Sequence, residues 1–232
     1  MKKLTVLFAL ILIVSCGKDP DLIVKGQVKG LKKGTIYLEK EKDSSIIIVD
    51  SIFLNGSSEF ELKSQLESPE AFYLRLDKKN SHETNTRIVF FADKGITEIN
   101  TTLKNFVSDA KITGSEQQKI YEEYLKVIAR YDDKNLDLIK ESFEAKKTKD
   151  SLRISTNNDA LNSLVKSKYL YTVNFAVTNN NSEVAPYLAL TEIYDAQTKW
   201  LDTINQSLTP KVKESKYGKS LEGYIKIRKS EN

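Results

Sequence analysis

The hydrophobic period of the chain changes once, at Gly114-Ser115, and this switch limits the possible folds more than any other feature of its 232 residues. Upstream, short apolar runs recur between turn signals, the pattern of strands rather than helices. They predict strands over 22–28, 35–39, 45–50, 59–63, 72–77, 87–91 and 96–101, with a last one within 107–112. The segment 30–34, Asn55-Gly56 and Asp93-Lys94-Gly95 supply turns, with Gly30, Gly34, Gly56 and Gly95 expected at positive φ and Asp50-Ser51 as a side-chain cap. Phe72, Leu74 and Leu76 alternate with Tyr73, Arg75 and Asp77, which puts one apolar face on that strand. The runs 46–49 and 88–91 are apolar on both faces, which predicts central strands or strands covering a neighbouring element.

Downstream the spacing becomes helical. Ser115-x-x-Gln118 has the form of a capping box. Ile120, Tyr124, Val127, Ile128 and Tyr131 then share a face, which Leu136, Ile139 and Phe143 extend through a charged stretch ending near Lys149. A second helix is expected from Asp159, with Leu161, Leu164, Val165, Tyr169, Val173 and Ala176 on its stripe. Such stripes predict packing within the chain, and the pair reads as a helical hairpin projecting from the strands. Pro186 and Thr209-Pro210 mark further helix starts, and Leu221, Tyr224, Ile225 and Ile227 line a basic amphipathic end expected to pack back on the fold. The fold class is therefore α+β, an N-terminal antiparallel β-sandwich over 22–114 followed by a C-terminal helical region over 115–232.

The N-terminus points to an address. Lys2-Lys3 precede an apolar run over 4–14, broken by Thr5. That run is shorter than the roughly 20 apolar residues a membrane helix needs, and it has the form of a signal-peptide core. Ile13-Val14-Ser15-Cys16 resembles the bacterial lipobox. The resemblance implies a signal peptide over 1–15, lipidation of Cys16 with diacylglycerol and an N-acyl chain such as palmitate, and a polar tether over 16–21. The expected location is the cell envelope, anchored by lipid, with the outer membrane, on its periplasmic or surface face, as the expected site; one Lys and two Asp in the tether do not choose between inner membrane, outer membrane and cell surface.

Composition removes several functions. Cys16 is the only cysteine, and there is one histidine and one methionine. Zinc sites built on several cysteines, C-x-x-C redox pairs and intrachain disulfides are excluded. The 36 basic and 32 acidic residues give +4, or +2 once Lys2 and Lys3 are removed, with the charges interspersed. No nucleic-acid partner is expected. With 40% hydrophobic and 29% charged residues the bulk of the chain is globular.

Gly26-Gln27-Val28-Lys29-Gly30-Leu31, Gly34-Thr35-Ile36-Tyr37-Leu38, Val49-Asp50-Ser51, Asn55-Gly56, Glu59-Phe60-Glu61, Pro69, Phe72-Tyr73-Leu74 and Phe90-Phe91-Ala92-Asp93-Lys94-Gly95 follow in order. Together they resemble the β-rich domain of unknown function that precedes a thioredoxin-like domain in thiol-disulfide reductase lipoproteins of Bacteroidetes-type bacteria. The likeness continues through Ile112-Thr113-Gly114-Ser115-Glu116-Gln117-Gln118. Leu208, Lys211, Ser215, Tyr217-Gly218 and Leu221 resemble the connector that leads to the thioredoxin domain in that family. A chain with one cysteine cannot carry its C-x-x-C, so reductase activity is not implied.

No side-chain constellation replaces it. His82 lies in a polar stretch without a nearby Ser-Asp frame, and reads as a solvated loop residue. Glu122-Glu123 and Asp132-Asp133 are neighbours on a helix, point in different directions, and read as solvated helix charge. No catalytic, cofactor or metal residue is assigned. Asp50-Ser51-Ile52, Asp150-Ser151-Leu152 and Asp202-Thr203-Ile204 resemble the O-glycosylation acceptor of this group of bacteria, with Ser151 as the best exposed candidate. The expected function is a non-enzymatic, lipid-anchored binding or interaction module. An accessory subunit of a separate thioredoxin-like reductase and a small-molecule or glycan binder are the alternatives.

Overall fold

The computed structural model describes residues 19–43, 45–77 and 87–231. Cys16 and His82, and the signal peptide, lie outside them. Eight strands come first: β1 Leu22–Lys29, β2 Lys33–Lys42, β3 Ser45–Asn55, β4 Glu59–Ser64, β5 Glu70–Asp77, β6 Arg87–Ala92, β7 Gly95–Thr102 and β8 Lys111–Thr113. Six helices follow: α1 Glu116–Lys147, α2 Ser151–Thr178, α3 Val184–Thr191, α4 Thr198–Ser207, α5 Pro210–Lys213 and α6 Lys216–Ser230.

The strands form two sheets, in the orders β4-β1-β7-β8 and β3-β2-β5-β6. Alternation decides the inner faces. Leu22, Val24 and Val28 of β1 and Phe60 and Leu62 of β4 meet Ile36, Leu38, Phe72, Leu74 and Phe90 from the other sheet. The architecture is α+β, a two-sheet sandwich followed by helices.

Several details differ from the sequence reading. The sandwich is not wholly antiparallel, because β1 and β7 pair in parallel. The chain builds the whole second sheet between them, so β7 returns alongside β1 in the same direction. The 46–49 run lies on an edge strand, with Ile46 and Ile48 about half exposed; β-branched residues favour a strand without fixing its place in the sheet. The last strand shrinks to β8, since hydrogen bonds among Thr102, Asn105 and Asp109 hold 103–109 in turns. Gly34 keeps an ordinary φ. Its constraint is room, as a Cβ there would lie 3.2 Å from the Asp77 carbonyl oxygen.

Residues Asp19 to Asp21 are held to the body rather than hanging as tether. The Asp19 carbonyl accepts from Gln65 Nε2 at 3.0 Å, Asp21 accepts from the Leu66 N–H, and Lys94 pairs with Asp21. Asp50 is not a turn cap either. Within β3 it accepts from its neighbour Ser51 N–H and, across the gap to β4, from Lys63 N–H, each at 2.7 Å.

The helices dock on the outer face of the second sheet. Phe91 is the hub, with Tyr121, Tyr187 and Tyr217 edge-on to its ring at 5.1 to 6.0 Å. Edge strand β6 is therefore covered on both faces. The Phe91 N–H donates to Gln118 Oε1 and the Ala71 N–H to the Tyr217 hydroxyl, which satisfies two backbone donors under the helices. Only half of the capping box forms. Ser115 Oγ accepts from Gln118 N–H, while the Gln118 side chain is taken by Phe91 and Glu122. A second helical core joins Val173 and Ala176 of α2 to Ile193, Leu201, Ile204, Leu221 and Ile225, so α6 packs back on the fold.

Candidate functional site

The two long helices form an arm. Buried or half-buried positions on α1 recur at alternating steps of three and four, from Tyr121, Tyr124 and Ile128 through Tyr131 and Leu138 to Ser142 and Ala145. Ile154, Asn157, Leu161, Leu164, Lys168, Tyr171 and Phe175 do the same on α2. This is the seam of an antiparallel two-helix coiled coil. Near the body it is aromatic, with Tyr124 5.9 Å from Tyr171 and 5.3 Å from Phe175. The Thr172 hydroxyl donates to the Lys168 carbonyl, so Tyr124 donates to Thr172 at 2.8 Å. Toward the tip the seam mixes Leu138 and Ile154 with the small or polar Ser142, Ala145 and Asn157. Asn157 donates to the Leu138 carbonyl at 3.0 Å, and Arg153 closes the flank on Glu141. Asp150 caps α2 through the Arg153 N–H, which starts the helix at Ser151 rather than at Asp159.

The distal half of α1 also carries apolar side chains off the seam. Leu136 is 64% exposed, Ile139 38% and Phe143 68%. Their spacing of three and four puts them on one stripe. They do not complete the packing face of Tyr124 and Ile128, as the spacing predicted. That face passes through Asn135, Leu138 and Ser142, one residue out of step. On α2, Leu152 at 77% and Val165 at 48% are exposed as well. Isolated exposed leucines are ordinary, whereas three on one stripe of a projecting arm form a patch with contact chemistry.

The rest of the surface is built differently. On the outer face of the second sheet the Glu39 side chain is 3% exposed and receives Arg75 Nε at 2.6 Å and Arg87 Nε at 3.0 Å. Arg75 also lies 4.0 Å over the Tyr37 ring. Glu70 likewise accepts Lys40 of its own sheet and Lys216 of α6, which ties the last helix to β5. These carboxylates are spent on fixed cations and hold structure. On the outer face of the first sheet an open depression of about 580 Å³ is lined by Lys25, Gln27, Ser57, Glu59, Glu98 and Asn100. Burial first of all raises the phenol pKa values of Tyr121, Tyr124, Tyr187 and Tyr217. These rings stay neutral and act as packing. Among the described residues no group of three His, Cys, Asp or Glu is placed to hold a metal ion.

Of the residues singled out from sequence, Ser151 stands exposed in the first turn of α2. The other two acceptor motifs lie within β3 and α4, where the Thr203 hydroxyl donates to Lys199 and Ile204 is buried. Asp132 and Asp133 are exposed on the arm beside the stripe, and Asp132 lies 3.7 Å from Lys168. No helix among the described residues is long and apolar enough to cross a membrane.

The sandwich and the first turns of α1 make one continuous unit, joined through Phe91, Gln118 and Tyr121, and a family comparison recognises the same unit. Residues 22–121 match the domain of unknown function DUF4369. The DUF4369 segment ends inside α1 and leaves the distal arm and α2 to α6 outside the match. No curated protein matches the chain.

Proposed function

We propose that this protein is a non-enzymatic, lipid-anchored cell-envelope protein whose DUF4369 sandwich serves as a base and whose helical arm makes the contacts. One observation carries the reading. Leu136, Ile139 and Phe143 form an exposed apolar stripe on a face of α1 that its seam with α2 does not use. Water contact of such a stripe is unfavourable by roughly 25 cal/mol per Å² of apolar area, which a partner recovers. The lipobox-like Cys16 supports the anchor, with the outer membrane as the assigned site. Only two residues separate Cys16 from the bonded Asp19. At about 3.6 Å per residue the sandwich is then held within about 11 Å of the acylated cysteine, with the Asp21–Lys94 end toward the membrane.

The test is a crosslinked pull-down from solubilised native envelopes, comparing the unaltered chain with a Leu136→Ser, Phe143→Ser double variant of the same circular dichroism. Proteins captured by the first and lost with the second agree with the reading. An identical captured set, or reduction of insulin disulfides by the purified protein, contradicts it. Capture of a thioredoxin-like protein specifies the module as a reductase accessory. Small-molecule or glycan binding rests on a separate observation, the polar depression around Gln27 and Asn100, and predicts a thermal shift with a sugar or metabolite library.

A further inference from the structure

We propose that the stripe on α1 is a dimerisation surface, packing antiparallel against the same stripe of a second copy of this chain. This rests on the reading of the arm as the contact element and names its partner. The carrying observation is the charge order along the stripe. Asp132 and Asp133 stand one turn before Leu136, and Lys146 and Lys147 one turn after Phe143; all four are exposed. The surface thus runs from two acids through three apolar residues to two bases.

Such a surface complements itself in one direction only. A two-fold axis between residues 139 and 140 sets Asp132 opposite Lys147, Asp133 opposite Lys146 and Leu136 opposite Phe143, each twice. Parallel packing would set like charges together. Self-complementarity of one patch is what a two-fold dimer requires. The charges are also available. Among the described residues Asp133, Lys146 and Lys147 form no ion pair, and Lys168 sits closer to Glu192, at 3.3 Å, than to Asp132. Lys140, exposed and one turn from both Leu136 and Phe143, lies on the same surface, where its stem can cover the other copy's Ile139 while the ammonium stays in water. The contact runs about 22 Å along the helix, so each body lies beyond the tip of the other arm. Two chains tethered to one membrane meet at raised effective concentration, which suits a small interface.

The experiment is analytical ultracentrifugation of the full chain in density-matched detergent, with two charge-reversed variants: Asp132→Lys with Asp133→Lys, and Lys146→Glu with Lys147→Glu. The unaltered chain is expected to form a concentration-dependent dimer. Each variant alone dimerises roughly tenfold more weakly, four exposed pairs having turned repulsive. An equimolar mixture of the two recovers dimer, because every position again faces its opposite charge. Unchanged melting temperatures confirm that both variants fold. A monomeric unaltered chain, or a mixture no more dimeric than its components, overturns the inference. If the chain is monomeric yet the Leu136→Ser, Phe143→Ser variant loses a captured protein, self-association falls and the reading of the arm stands.

Discussion

At the scale of single residues, two buried carboxylates act on stability in opposite ways. Glu39 is a buried carboxylate fixed by two guanidinium groups, and its removal leaves Arg75 and Arg87 facing each other. Glu39→Ala is expected to cost about 2 kcal/mol, below the value for a fully buried pair because Arg75 is 25% and Arg87 42% exposed. A lower urea midpoint at unchanged slope checks this. Glu183 is the opposite case. Burial raises its pKa above the ordinary 4.5, against a backbone hydrogen bond and Lys211, which lower it, with Asp93 adding a little to the rise. Between that value and the folded one, the native state keeps a proton that the unfolded chain has lost, so this contribution to stability falls as pH rises through the window. Glu183→Gln is accordingly expected to raise the melting temperature at pH 7, with a gain that disappears below pH 4.5. A gain that persists in acid would contradict the assignment.

At the scale of elements, the two apolar surfaces of α1 make opposite predictions. Phe91 holds three tyrosines from three helices, and Phe91→Ala is expected to cost about 3–5 kcal/mol. Leu136→Ser with Phe143→Ser removes side chains of similar size and is expected to leave the denaturation midpoint of the dilute, monomeric chain within error, since both face water there. The same residues show what was legible beforehand. The strand positions and the inward alternation of Phe72, Leu74 and Leu76 could be read, because a period of two survives in sequence. The edge position of Ile46 and Ile48 could not, because strand order depends on pairing between distant segments. Nor could the outward stripe, because Leu136, Ile139 and Phe143 continue the spacing of a packing face from which Asn135, Leu138 and Ser142 lie one step away. A three-four repeat traced through polar positions as well as apolar ones would have found the seam. The start of α2 was hidden for a related reason. Ser155, Thr156, Asn157 and Asn158 are weak helix formers, and the Asp150 cap and the seam override that preference.

At the scale of the molecule, the sandwich, the tyrosine joint and the second helical core account for nearly all of the burial, and the distal arm stands outside that economy. The DUF4369 match covers the base and stops where the arm leaves it. An arm that carries an exposed apolar stripe outside the matched base is the arrangement that the proposed contact role requires. The most direct measurement is site-specific photo-crosslinking in native envelopes, with a photoreactive phenylalanine analogue at Phe143 and, as control, at the exposed Asp137 on the other flank of α1. An adduct at 143, larger than the chain alone and absent at 137, is the result expected if the stripe is occupied. No adduct at 143, or equal adducts at both positions, would show that the arm's apolar stripe meets water and nothing else.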